Sequence, residues 1–237
     1  MKFLGDKWAT GTGIFETIRV ENNQVFALHR HHCRAKEAAE KLGFEIPSEE
    51  EVAQESYQVI RSCDYRLGRL RWHFERGGEF TISYVPYEDP EDPAKLMIFK
   101  DRMKNHEIKN KEFPYKNLEL LEFAKSRGFD DGIIITDDGQ IAETSTATLL
   151  LKLDCKWLTP PLTSGILNGV VRALVLEAGL AKVSRISESD LSNIESGLLL
   201  TSLRNAQLVG SIAGRDLQLD RGKRDEIHRL MATFKGK

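Results

Sequence analysis

Residues 160–172 read Pro160-Pro161-Leu162-Thr163-Ser164-Gly165-Ile166-Leu167-Asn168-Gly169-Val170-Val171-Arg172, a flexible loop that runs directly into an apolar helix predicted over residues 169–179. The first N–H groups of such a helix have no partner within the helix and, together with the helix dipole, they favour an anion. A plain helix start explains the same residues. The stretch therefore predicts a helix whose N-terminus is a candidate anion site.

The residues upstream of this loop predict a β-hairpin. A strand over residues 132–136 is followed by the turn Asp137-Asp138-Gly139-Gln140 and by a second strand over residues 141–152. Glu143 lies in the second strand among small hydroxyl residues. Because glutamate is rarely buried without a partner, Glu143 is either an edge-strand residue that reaches solvent or a functional carboxylate that meets a cation.

The first third of the chain predicts a small α+β module. Apolar and polar residues nearly alternate over residues 14–20, which indicates a half-buried strand, and a partner strand follows over residues 25–28. A helix is predicted from Arg30 to Gly43, and the capping box of Ser48 and Glu51 opens a second helix. Further strands are predicted at 66–76, 79–86 and 96–100.

The predicted fold class is α+β in two parts. Residues 1–100 form a small N-terminal α+β domain, residues 101–110 form a polar linker, and residues 111–237 form a larger C-terminal domain with a mixed or antiparallel sheet. That larger domain also contains a predicted helix near 117–127, strands near 182–186, 197–201 and 207–213, and a C-terminal helix with apolar residues on one face.

Composition excludes several classes of protein. Of the 237 residues, 41% are hydrophobic and 30% are charged, which excludes a disordered chain and a collagen-like one. No apolar run reaches the roughly 20 residues of a membrane helix. The 34 Lys and Arg residues balance 36 Asp and Glu residues, so no nucleic-acid partner is expected. We expect neither a secretory signal nor disulfides, and therefore a cytoplasmic location with the three cysteines as thiols.

The segment His31-His32-Cys33-Arg34 invites a metal interpretation, which its spacing disfavours. Adjacent residues on a helix point about 100° apart and cannot share an ion. No metal site is therefore expected. Arg34 is by default a solvated helical arginine, and it becomes an attractive anion clamp only if an anion is implied elsewhere. The glycines Gly11 and Gly13 match neither the dinucleotide fingerprint nor the P-loop.

Taken in order, these segments resemble the fold-type IV pyridoxal-phosphate enzymes, which include branched-chain and D-amino-acid aminotransferases and aminodeoxychorismate lyase. Residues 11–19, Gly-Thr-Gly-Ile-Phe-Glu-Thr-Ile-Arg, resemble the family's Gly-Asp-Gly-Val-Phe-Glu-Thr-Ile-Arg entry, and residues 31–34 resemble its His-Leu-x-Arg. Residues 142–145 are similar to its Thr-Glu-Gly-Ser, and residues 164–172 to its Ser-Gly-Ile-Leu-Pro-Gly-Ile-Thr-Arg. The resemblance covers nearly the whole chain.

The resemblance implies a small α/β domain, a larger mixed-sheet pseudo-barrel domain and pyridoxal 5'-phosphate as cofactor. It implies that the N–H groups of Val170 and Val171 bind the phosphate, with Arg34 and the Ser202 hydroxyl as clamps. Glu143 would face the pyridine nitrogen and keep it protonated. Two departures stand out, because Val171 replaces a threonine and Asn168 a proline.

The lysine that bonds to the cofactor's aldehyde lies in a stretch that contains Lys109, Lys111 and Lys116. In the family this lysine precedes the carboxylate by a number of residues similar to that found here, and a tyrosine commonly follows the lysine. Lys111 meets both conditions best, with Tyr115 four residues later. Tyr115 then either donates a hydrogen bond to the ring oxygen or only packs.

Two short matches favour a lyase within the family, one that converts 4-amino-4-deoxychorismate to 4-aminobenzoate and pyruvate in folate biosynthesis. Residues 201–203, Thr-Ser-Leu, resemble the lyases' Asn-Ser-Leu, and the Phe-Glu-Thr-Ile-Arg of residues 15–19 differs from the aminotransferases' Phe-Glu-Gly-Ile-Arg. An aminotransferase acting on branched-chain or D-amino acids is the alternative, and a non-catalytic family member is a lesser one.

The resemblance also implies a homodimer that acts on a small-molecule substrate. Apolar residues that are candidates for burial between subunits, or equally within one chain, are Trp8, Ile14, Phe15 and Trp72. Cations that could meet the substrate's carboxylates are Arg71, Arg76 and Arg204.

Overall fold

The structure is a computed structural model that describes residues 13–99 and 113–236, and of residues 113–116 it describes the helical backbone alone. Trp8, Gly11, Lys109 and Lys111 lie outside the described residues, as does the predicted linker over residues 101–110. The described residues form two compact units. One contains those up to Asp89 and those from Met231 onwards, and the other contains those from Pro90 to Leu230, apart from Phe113.

The first unit is built on an antiparallel sheet of four strands in the order β2-β1-β3-β4. The strands are β1 (Gly13–Glu21), β2 (Gln24–Val25), β3 (Leu67–Glu75) and β4 (Phe80–Pro86). β1 and β3 pair without interruption from Gly13 opposite Glu75 to Glu21 opposite Leu67. This unbroken register sends every second side chain of β1 to the same face of the sheet.

Two helices cover one face of this sheet, α1 (Leu28–Leu42) and α2 (Glu49–Arg61). The predicted capping box is confirmed, because the Ser48 hydroxyl accepts the Glu51 N–H and the Glu51 carboxylate accepts the Ser48 N–H. Ile14 and Trp72 are fully buried in the apolar core between sheet and helices. Their burial is thus explained within one chain.

The second unit contains a nine-stranded sheet together with helices α3 (Phe113–Ser126), α4 (Val170–Glu177) and most of α5 (Arg221–Ala232). Its strands are β5 (Ala94–Phe99), β6 (Asp131–Ile135), β7 (Ile141–Thr144), β8 (Thr148–Leu153), β9 (Lys156–Thr159), β10 (Lys182–Val183), β11 (Ser196–Thr201), β12 (Asn205–Ile212) and β13 (Arg215–Asp216). The main order is β10-β9-β8-β11-β12-β5-β6-β7, with β13 paired to β12.

This second sheet is mixed, as the sequence predicts, and the fold class is α+β. β5 pairs in parallel with both β6 and β12, whereas β8 and β12 each pair antiparallel with β11. The parallel pairing explains a difference from the predicted organisation. The strand expected at 96–100 was grouped with the N-terminal domain, but β5 is an interior strand of the second unit's sheet.

The predicted strand over residues 141–152 is in fact two strands, β7 and β8. A tight turn separates them, in which the Thr144 hydroxyl accepts the Ala147 N–H at 3.0 Å and the Thr144 N–H donates to the Ala147 carbonyl at 2.9 Å. The break turns the chain immediately after Glu143 and Thr144. Among the described residues, no helix is both long and apolar enough to cross a membrane.

Candidate active site

The N-terminus of α4 has the features of an anion site. Gly169 is its N-cap residue in an extended conformation, and no side chain caps the helix. A Cβ atom at Gly169 would lie 3.2 Å from the Thr148 Oγ1, so a side chain there would crowd the entrance to the helix. Val170 and Val171 are the first two helical residues, and their N–H groups belong to the turn that lacks intrahelical acceptors. Such a helix start offers donors to an anion, and the phosphate roles of Val170 and Val171 stay a prediction.

Glu143 is buried although β7 is the last strand of the sheet order. Only 5% of its surface is exposed, because both faces of β7 are covered: Ile141 belongs to one apolar cluster and Ala142 to another. The Leu167 N–H donates to the Glu143 Oε2 at 3.3 Å. The carboxylate therefore contacts the loop that leads into α4, next to the candidate anion site.

Arg172 supplies positive charge near Glu143. Its guanidinium is buried, donating to the Pro160 carbonyl at 2.8 Å and to the Thr159 Oγ1 at 3.3 Å. Burial lowers the pKa of Arg172, and the attraction of Glu143 raises it in part. The guanidinium remains charged at neutral pH and attracts the Glu143 carboxylate. Glu143 is thus not a residue that reaches solvent, and its function as a carboxylate stays a prediction.

Asp131 was not singled out from the sequence, yet it joins several parts of this region. Its carboxylate is 1% exposed and accepts hydrogen bonds from Ser145 and Thr146, the two residues that follow β7. The only sequence signal is an acidic residue at the entrance to the apolar run of β6.

Ser202 lies half-buried in the turn between β11 and β12. The turn is closed by the Arg204 N–H, which donates to the Thr201 Oγ1 at 3.0 Å. The Arg204 guanidinium donates to the Thr146 Oγ1 at 3.0 Å. The turn that contains Ser202 is therefore tied to the segment that follows Glu143.

The start of α3 is tied to the same segment. Tyr115 and Lys116 lie in its first turn, and the structure describes their backbone alone. Asn117, the next residue, is 5% exposed and its amide donates to the Ser145 carbonyl at 2.5 Å. The helix that follows Lys111 in sequence thus begins beside Ser145.

Arg34 belongs to the first unit, and its default interpretation as a solvated helical arginine is wrong. Its side chain is 15% exposed and makes a two-point hydrogen bond to Glu16, with 2.9 Å from Nε to Oε1 and 2.5 Å from Nη2 to Oε2. His31 also contacts the Glu16 Oε2 through Nδ1 at 2.7 Å. From the sequence, Glu16 could have been recognised as an acidic residue on the same face of β1 as the apolar Ile14 and Ile18.

The charge of Glu16 is strongly favoured in this setting. Its side chain is fully buried, and burial raises the pKa of the carboxyl, but the opposing attraction of Arg34 and the contact with His31 lower it to well below its ordinary value. The orientation of the Arg34 guanidinium therefore depends on Glu16.

The sequence pattern of the family described as "Amino-transferase class IV" matches residues 13–212, most of the chain. The chain belongs to the class IV aminotransferase family. Its members depend on pyridoxal 5'-phosphate, so this chain is an enzyme that uses that cofactor.

Individual relatives are distant. A Schizosaccharomyces pombe protein named "Putative aminodeoxychorismate lyase" is 24% identical over 204 residues, covering 81% of this chain and 87% of the relative. A D-alanine aminotransferase from Bacillus licheniformis is 24% identical over 231 residues, covering 87% and 81%. The structure of a hypothetical aminotransferase from Mycobacterium tuberculosis, in its α-ketoglutarate- and PMP-bound form, superposes with a TM-score of 0.82 at 20% identity, covering 99% of this chain and 94% of the other.

The residues of the second unit fit the cofactor chemically. An uncapped helix N-terminus suits the phosphate, and a buried carboxylate beside it suits a protonated pyridine nitrogen. These two groups are held together by the contact of Leu167 with Glu143.

Glu16 gives a test of the first unit by pH. We expect Glu16→Gln to lower the free energy of unfolding at pH 7 by about 1.5–3 kcal/mol, because hydrogen bonds from charged groups to its carboxylate are lost. The Glu16 pKa is lowered on folding, so its contribution is complete above the ordinary glutamate pKa of about 4.3 and is lost as the pH falls further.

Denaturant unfolding between pH 7 and pH 3 measures this contribution. The difference between wild type and Glu16→Gln should shrink below about pH 4. The exposed Glu45, changed to Gln, is the matched control and should behave as wild type. A difference between wild type and Glu16→Gln that is independent of pH would contradict the ion-pair interpretation.

Proposed function

We propose that this enzyme is an aminodeoxychorismate lyase, which converts 4-amino-4-deoxychorismate to 4-aminobenzoate and pyruvate. The cofactor chemistry rests on one observation, the buried Glu143 held against the loop that leads into the uncapped N-terminus of α4. The choice of lyase is supported by the motifs at residues 15–19 and 201–203 and by the name of the S. pombe relative.

The proposed roles follow from what each group can donate or accept. The N–H groups of Val170 and Val171 bind the phosphate, and Arg34 and Ser202 are its predicted clamps. Glu143 holds a proton on the ring nitrogen as an ion pair. When bound, the cofactor supplies an aldehyde for the substrate amine and a ring that accepts electrons.

Lys111 is the proposed covalent attachment point and proton carrier. Its amine receives the proton that leaves the carbon bearing the substrate's amine. Tyr115, four residues later in the sequence, donates to the ring oxygen. Loss of pyruvate leaves an aromatic ring, which makes the reaction favourable. These assignments are carried over from the family's motif, residue by residue.

An aminotransferase is the second candidate, and the likeness to a D-alanine aminotransferase supports it. The two reactions share the cofactor contacts and differ in where the proton is returned. Glu143, Val170 and Val171 serve both equally, so only the products distinguish them.

We expect the purified protein, given 4-amino-4-deoxychorismate, to release pyruvate and 4-aminobenzoate in equal amounts. Coupled pyruvate reduction and the fluorescence of the aromatic product measure both. Amino transfer from D-alanine or a branched-chain amino acid to a keto acid, with neither lyase product, would select the second candidate.

The same preparation tests the lysine. Lys111→Ala should lose the visible absorption band of the bound cofactor together with turnover. Lys109→Ala and Lys116→Ala are the matched controls, and both should keep the band. Loss of the band in one of these controls alone would move the attachment point to that residue.

Glu143→Gln should retain bound cofactor and lose most turnover, because an amide cannot hold the ring proton as an ion pair does. The exposed Glu188, changed to Gln, is the control. Cofactor content and initial rates measured on the same samples separate binding from turnover. A Glu143→Gln enzyme with a near-normal rate would contradict the ring-nitrogen assignment.

We further propose that the enzyme is a cytoplasmic homodimer of folate biosynthesis. The three free cysteines support a reducing compartment.

A two-fold dimer is the commonest closed arrangement of soluble homo-oligomers. Light scattering at micromolar concentration should give twice the chain mass, and a monomer that turns over substrate would overturn the dimer.

A further inference from the structure

The Asp131 carboxylate concentrates an unusual number of hydrogen bonds on one buried charge. Ser145 donates to Oδ1 through its N–H at 3.1 Å and its hydroxyl at 2.5 Å. Thr146 donates to Oδ2 through its N–H at 3.2 Å and its hydroxyl at 2.7 Å. The Gly132 N–H adds a fifth bond to Oδ1 at 2.7 Å. A buried charge requires such compensation, so these bonds fix the segment in one place.

The fixed segment is in turn the anchor for two other elements. The Ser145 carbonyl accepts the Asn117 amide of α3, and the Thr146 hydroxyl accepts the Arg204 guanidinium beside the turn of Ser202. On its N-terminal side the segment continues directly from Glu143 through Thr144. The Asp131 carboxylate thus fixes the relative positions of three chain segments that are distant in sequence.

We infer that Asp131 is a positioning residue of the cofactor site, acting through Ser145 and Thr146 on Glu143, on the turn of Ser202 and on the start of α3. The inference rests on the proposed cofactor roles of Glu143 and Ser202. Asp131 itself touches none of the reacting atoms in this assignment. Its effect is geometric, since it determines where the ring-nitrogen and phosphate partners lie.

The chemistry of the carboxylate is essential to this role. All of the Ser145 and Thr146 groups that reach Asp131 are donors, so both oxygens must accept. An asparagine would place its amide NH₂ against one of the backbone N–H groups. A hydroxyl can rotate to accept a hydrogen bond instead of donating one, but a backbone N–H can only donate. Asp131→Asn therefore forces one side of the segment to move.

The exposed Thr146 allows a test that does not endanger folding. Thr146→Val keeps the shape and the N–H but removes the hydroxyl that contacts both Asp131 and Arg204, whereas Thr146→Ser keeps the hydroxyl. Asp130→Asn is the control for Asp131→Asn, because Asp130 is exposed and accepts one hydrogen bond, from the Lys95 N–H at 2.7 Å.

Each variant is purified without cofactor and titrated with pyridoxal 5'-phosphate, and the dissociation constant and the wavelength of the bound absorption band are recorded. Thermal unfolding of the cofactor-free protein is measured separately. We expect Asp131→Asn to bind at least tenfold more weakly and to shift the band, Thr146→Val to bind several-fold more weakly, and Thr146→Ser and Asp130→Asn to match wild type.

The outcomes separate the two claims. A wild-type protein that binds no pyridoxal phosphate overturns the proposed function and removes this inference with it. Wild-type binding, with Thr146→Val equal to Thr146→Ser in affinity and band position, overturns the positioning role alone. A lower unfolding temperature of Asp131→Asn with unchanged affinity and band would show a structural role only. Should Asp131→Asn not fold, the Thr146 pair decides.

Discussion

A buried carboxylate is costly unless donors or cations compensate it, and this constraint organises both units of the chain. Three such groups, Glu16, Asp131 and Glu143, are each at most 5% exposed. Each is compensated differently: Glu16 by a two-point guanidinium contact, Asp131 by hydroxyl and N–H donors, and Glu143 by an N–H together with the field of Arg172. The compensation in each case fixes the position of a neighbouring segment.

In the second unit this constraint connects local structure to chemistry. The donors that satisfy Asp131 lie in the turn that follows β7. The Thr144 hydroxyl closes this turn through hydrogen bonds to the backbone of Ala147. The turn ends β7 immediately after Glu143, so the carboxylate is held in place from both sides along the chain. The sheet then buries it, since apolar clusters cover both faces of β7. On an isolated hairpin the Glu143 side chain would be hydrated and free to rotate, whereas here burial and the Leu167 N–H restrict it.

Periodicity and caps predicted most of the elements. The helix start at Ser48 and the strands of the first sheet follow from side-chain patterns that a single segment contains. The break of the 141–152 strand did not follow, because the Thr144 hydroxyl closes a turn there and because Ser145 and Thr146 donate to Asp131, a partner that is distant in sequence. The parallel partners of β5 were missed for the same reason. For Arg34, spacing showed a helical arginine but not its partner Glu16, since only the pairing of helix and sheet brings the two together.

One departure of this chain from its family's motif, Val171, is explained by where its side chain lies. Val171 stands where a threonine is usual, but the residue is 2% exposed and its side chain packs within the protein. Its N–H belongs to the first turn of α4, which has no acceptors within the helix. The loss of a hydroxyl at this position leaves the backbone donors unchanged. In the proposed assignment, anion binding at this helix depends on backbone N–H groups and on Gly169, whose missing side chain keeps the entrance open beside Thr148. Because backbone donors recognise a phosphate without reference to the rest of the substrate, the cofactor site can be shared between lyases and aminotransferases.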